Sequence, residues 1–129
     1  MRLSTICAST LLVLGMACGF GDSIQVDLVP VGGASVSGTA TLQAGFCKSP
    51  CVTSNFDLSG GTRTRGAVRM GSCADPGEQL GGNLSTDPTF EEPVSMVSSL
   101  DELSGKACVQ VVEQASDGSE VVVACGDVP

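Results

Sequence analysis

From Ile24 onward, apolar and polar positions alternate. Ile24, Val26 and Leu28 are interleaved with Gln25 and Asp27, and Val36, Ala40 and Leu42 with serines and threonines. The same two-residue period returns at Phe56 and Leu58 around Asp57, at Val68 and Met70 around Arg69, and at Val94 and Met96 around Ser95. It closes with Val109 and Val111, then Val121, Val123 and Cys125. Successive side chains of a strand point to opposite faces, so this pattern predicts half-buried strands. Turn formers interrupt it at short intervals: Gly32-Gly33, Gly60-Gly61, Asp75-Pro76-Gly77, Gly81-Gly82-Asn83, Asp87-Pro88 and Asp117-Gly118. Short strands with frequent breakers predict an all-β fold, a small antiparallel Greek-key sandwich or barrel. Asp117-Gly118 lies between two valine-rich runs and marks a hairpin. No segment keeps a helical apolar stripe.

Two stretches depart from the alternation. Asp75 to Pro93 is rich in glycine, proline and acids. It reads as a long connection crossing between sheets, with a binding loop as the alternative. Leu100-Asp101-Glu102-Leu103-Ser104-Gly105 reads as one tight turn, its leucines tucked under the sheets and its acids in water.

The amino terminus has a different character. Met1-Arg2 precedes an uncharged run from Leu3 to Phe20 centred on Leu11-Leu12-Val13-Leu14. A basic start, a short apolar centre and then small residues make a secretory signal peptide. Leu14-Gly15-Met16-Ala17-Cys18 resembles a bacterial lipobox, in which the cysteine is lipidated and becomes the mature N-terminus. The expected organisation is a signal peptide over 1–17, a tether over 18–23 and one domain over 24–129. Cys18 is the expected lipidation site, with an unlipidated secreted product as the alternative. The chain would then sit in a bacterial envelope, facing periplasm or exterior, held to the membrane by its N-terminal lipid.

Charge narrows the partners. Formal net charge is −8, with 6 Lys plus Arg against 14 Asp plus Glu. Cleavage before Cys18 removes Arg2 and makes the domain more acidic still. An acidic chain without Trp or Tyr lacks the basic surface and stacking rings of a nucleic-acid binder. An envelope protein is the expected partner, its identity and the oligomeric state left open. The chain has 7 cysteines and no histidine, so the usual neutral general base and metal ligand is missing.

The carboxyl half, roughly Arg63 to Pro129, resembles the copper-zinc superoxide dismutase family and its short bacterial relatives. The resemblance is carried by Ala67-Val68-Arg69-Met70-Gly71-Ser72-Cys73, Leu100-Asp101-Glu102-Leu103-Ser104-Gly105, Val109-Gln110-Val111-Val112-Glu113 and Val122-Val123-Ala124-Cys125-Gly126. It implies a dismutase-like sandwich stapled by a Cys73–Cys125 disulfide. It also implies that the metal chemistry is gone. The family's two strand histidines fall on Ala67 and Arg69, a further copper ligand on Val112, and the guiding arginine on Val122. The expectation is a non-enzyme with no metal and no cofactor.

Other residues keep alternatives open. Cys47-Lys48-Ser49-Pro50-Cys51 is a local disulfide candidate, with a thiolate copper carrier as the alternative. Cys108 is the odd cysteine, expected in or beside the core. Arg63, Arg65 and Arg69 share strand parity with Ala67 and would line one face. That strip is a candidate anion or polyanion site, or else a charged strand edge that blocks pairing with another sheet. Asp75, Glu78, Asp87, Glu91 and Glu92 fit no calcium-loop spacing and read as solvated acids. Asn83-Leu84-Ser85 matches a glycosylation acceptor.

Overall fold

β-branched and small residues at alternate positions build eight strands in the computed structural model, which describes residues 22–129. These are β1 (Ser23–Pro30), β2 (Ser37–Phe46), β3 (Pro50–Ser59), β4 (Thr64–Gly71), β5 (Pro76–Leu84), β6 (Glu92–Pro93), β7 (Ala107–Gln114) and β8 (Glu120–Asp127). The predicted signal peptide, Cys18 and most of the tether lie outside the described residues. Ser23 is already paired with Gln43, so the tether reaches no further than Asp22.

The strands run in the order β5-β4-β7-β8-β1-β2-β3-β6, every neighbour antiparallel. The connections from β3 to β4 and from β6 to β7 cross between strands that are not neighbours, so that β6 lies beside β3 and β7 beside β4, and make this a Greek key. β1 serves both halves. Ser23 to Leu28 pair with β2, whereas Val29 and Pro30 pair with Cys125 and Ala124 of β8. Gly126 lies at that junction, where an added Cβ would run into the Asp27 carbonyl, so only glycine lets β8 approach β1. At the other end the sheet nearly closes. The Ser85 amide donates to the Glu92 carboxylate, and Gly81 rests against Ser95 with no ladder between β5 and β6. The fold is a nearly closed antiparallel barrel.

Inward positions form one core: Val26, Leu28, Leu42, Val52, Phe56, Val68, Val109 and Val111, closed below by Leu100 and Leu103. The Leu100–Glu102 turn is a 3-10 helix that buries both leucines and leaves both acids exposed. Glu102 ties its entry: Oε2 accepts from Ser98 N (3.1 Å), Ser98 Oγ (2.7 Å) and Ser99 N (3.0 Å). The Ser98 hydrogen bonds hold its carboxyl below the ordinary value of 4.5. A depressed folded-state pKa contributes stability that is complete above the ordinary value and lost as pH falls through the folded one. Glu102→Gln is therefore expected to flatten the loss of urea midpoint as pH drops below that value, relative to wild type; parallel curves would refute this.

Three expectations need correction. Asp75 to Pro93 is not one irregular connection, because β5 occupies its first half. β5 is mostly exposed and joins β4 through two register shifts, so no burial alternation marked it. Val94 to Met96 is not a strand. β6 ends at Pro93, Val94 turns inward, and Met96 stands exposed at φ 72°. Arg63 does not join the strand face: it lies before β4 at φ 54°, where its carbonyl accepts from Gln114 N. The Asp117-Gly118 hairpin, by contrast, forms as expected, closed by Ala115 N to Ser119 O at 2.8 Å between β7 and β8.

Candidate functional site

The outer face of β4, β7 and β8 collects the residues singled out in the sequence. Val68, Val109 and Val111 point into the core, so the pleat turns Arg65, Ala67 and Arg69 of β4 outward with Cys108 and Gln110 of β7. Register makes two rows. Arg69 stands opposite Cys108, which stands opposite Asp127; Ala67 stands opposite Gln110, which stands opposite Cys125. This face is covered. Ala67, Gln110, Cys108 and Cys125 are all buried, although only the other side of the sheet belongs to the main core.

The cover is the turn after β4. Ser72 and Asp75 exchange backbone hydrogen bonds (3.3 and 3.1 Å) around Cys73. Cys73 is bonded to Cys125, with a Cα–Cα distance of 6.0 Å. Its amide also donates to Asp127 Oδ1 at 2.8 Å. Arg69 Nη1 donates to the Gly77 carbonyl at 2.6 Å, fastening the start of β5 over the same face. The disulfide implied by the resemblance is thus formed.

Cys108 is buried as expected but lies outside the core cluster, beside that disulfide. The Sγ atoms of Cys73, Cys108 and Cys125 all lie within 4.8 Å of one another. Burial pushes the Cys108 thiol up, Asp127 adds to this, and Arg69 opposes it. Strand parity carried the missed signal, since Cys108 is out of phase with Val109 and Val111 and shares a face with the partner of Cys125.

The remaining candidates are dispersed. Arg65 is ion-paired with Glu120 and Arg69 is engaged with Gly77, so an anion on this strip must displace existing partners. Cys47 and Cys51 are bonded to each other across the β2–β3 turn, which consumes both sulfurs of the proposed thiolate pair. Asp87 Oδ1 accepts from Thr89 N (2.9 Å) and Thr89 Oγ1 (2.8 Å), and Glu92 holds Ser85. Among the described residues the acids of 75–92 do not converge with a third donor. Asn83 is exposed on β5. A shallow depression of about 390 Å³ beside Gly33, Gly61 and Glu113 lies elsewhere, its Glu113 carboxylate occupied by Thr62 N. Comparison with protein-family models, curated proteins and solved structures gave no match, so the dismutase resemblance stands on the residues named above.

Proposed function

We propose that the chain is an exported, lipid-anchored, non-catalytic barrel that serves as a structural or interaction module of the bacterial cell envelope. The observation that carries this reading is the donor set on the outer face. The positions that the resemblance assigns to metal ligands hold Ala67, Arg69 and Val112, which offer a methyl group, a guanidinium and an isopropyl group. None of these is a ligand for copper or zinc. The staple and barrel around them are intact, and Arg69 is turned to the Gly77 carbonyl. Two disulfides favour an oxidising compartment, in agreement with the signal peptide reading.

Anchoring is tested by metabolic labelling with an alkyne fatty acid in a bacterial host. Wild type is expected to take up label and fractionate with membranes. Cys18→Ser is expected to lose the label and appear in the soluble fraction. An unlabelled wild type, or a labelled Cys18→Ser, refutes the lipid anchor.

A further inference from the structure

Three sulfurs share the outer face of the barrel, and only two of them are bonded to each other. We propose that Cys73, Cys108 and Cys125 form a thiol–disulfide exchange site in which the staple transfers from β8 to β7. Cys108 gives up its proton to solvent, and its thiolate attacks Cys73 Sγ. The Cys73–Cys108 bond forms as the Cys73–Cys125 bond breaks, and Cys125 leaves as a thiolate that is reprotonated. One disulfide and one thiol are present before and after, so the step needs no oxidant or reductant.

The ladder decides which sulfur is attacked. Cys108 stands opposite Asp127 and Cys125 opposite Gln110, so the two cysteines are diagonal neighbours. Diagonal Cα atoms in an antiparallel pair lie roughly 7–8 Å apart. A disulfide usually spans no more than about 6.8 Å, so direct closure between β7 and β8 is disfavoured. Cys73 is under no such constraint because it sits in a turn outside the ladders. That turn is held by a hydrogen bond to Asp127, the residue facing Cys108. Cys73 is therefore docked over both possible partners.

Loop-closure entropy changes only with the logarithm of loop length, so the shorter Cys73–Cys108 loop costs the protein little. Burial and Asp127 keep the Cys108 thiol protonated at neutral pH, with Arg69 on β4 opposing them. Exchange is accordingly slow at neutrality and accelerates as pH rises. Its outcome is topological: the last strand loses its covalent tie while the turn keeps one.

The test uses the oxidised wild-type protein, so no variant needs to fold. After incubation at mildly alkaline pH, the protein is quenched in acid, unfolded and treated with an alkylating agent. Cleavage after Glu113 and Glu120 then separates Cys108 from Cys125. The expected result is alkyl label on both Cys108 and Cys125, in a ratio that does not change across a dilution series. Label confined to Cys108, label on Cys73, or a ratio that depends on protein concentration overturns the proposal. Cys125→Ser supplies the second measurement. In a glutathione buffer it is expected to yield cross-linked fragments containing Cys73 and Cys108, whereas a folded variant with both thiols free would overturn the same idea.

Discussion

Cys73→Ser is expected to lower the stability of the oxidised domain by about 4 kcal/mol, the chain-entropy value for the 52-residue separation that the Cys73–Cys125 bond closes. For a domain of this size that corresponds to a fall of roughly 15–30 °C in thermal midpoint. Small domains hold about 5–15 kcal/mol in total, so the variant would be close to unfolding in mild urea. The measurement is urea unfolding of both proteins under non-reducing conditions. A loss below about 1 kcal/mol would mean that the turn over β4, β7 and β8 is held by Asp127 and Arg69 without the staple, and would refute a chain-entropy role for the bond. Two further variants give the effect its context. The Cys47–Cys51 bond spans a separation of only 4, so Cys47→Ser should cost about 2 kcal/mol, confined to its own turn. If Cys108 replaces Cys125 as partner, Cys125→Ser will be milder than Cys73→Ser, although both remove the same bond.

The second large effect lies in the core. Phe56 is fully buried, and among the described residues it is the one buried aromatic, since Phe46 and Phe90 are exposed. Its ring lies over Gly66 of β4, where any Cβ would overlap it. Phe56→Ala is expected to cost about 3–5 kcal/mol through lost burial and a cavity. Gly66→Ala is expected to cost about 1–3 kcal/mol by overpacking against the same ring. The informative protein is the double variant. With the ring gone, the alanine methyl enters the vacated space, so the Gly66→Ala penalty should shrink or vanish, giving a coupling of about 0.5–3 kcal/mol. Urea unfolding of the four proteins closes the cycle. Additive effects would show that the ring does not rest on the glycine.

The strands that were legible in the sequence are those with one face in the core. Val26 and Leu28 of β1 and Leu42 of β2 show their burial in their spacing because those strands face water on their other side, whereas Val109 and Val111 keep the period although β7 is covered on both faces. β5 and β6 form the borders of the sheet and bury too little for composition to follow a period. Pro76, Gly77, Gly81 and Gly82 read as breakers, yet they belong to a bulged strand at which such residues are tolerated. The turn at Leu100 was legible for the opposite reason: two buried leucines flank two exposed acids in one short segment. The three-sulfur cluster was not, because it depends on the register between β7 and β8. That register is shifted between Val111 and Val112, and no local pattern announces the shift. The arginine strip lost Arg63 to a similar local event, a left-handed residue one step before the strand begins.

The junction between β5 and β6 gives the barrel the mechanics of a split ring. Every other pair of neighbouring strands is joined by backbone ladders, whereas this pair is held by one carboxylate on one amide and by Gly81 lying against Ser95. The circumference can widen there without breaking a rung anywhere else. Strain imposed by a docking partner on any other part of the wall would be relieved at that slit, one lip of which, β5, starts directly from the stapled turn.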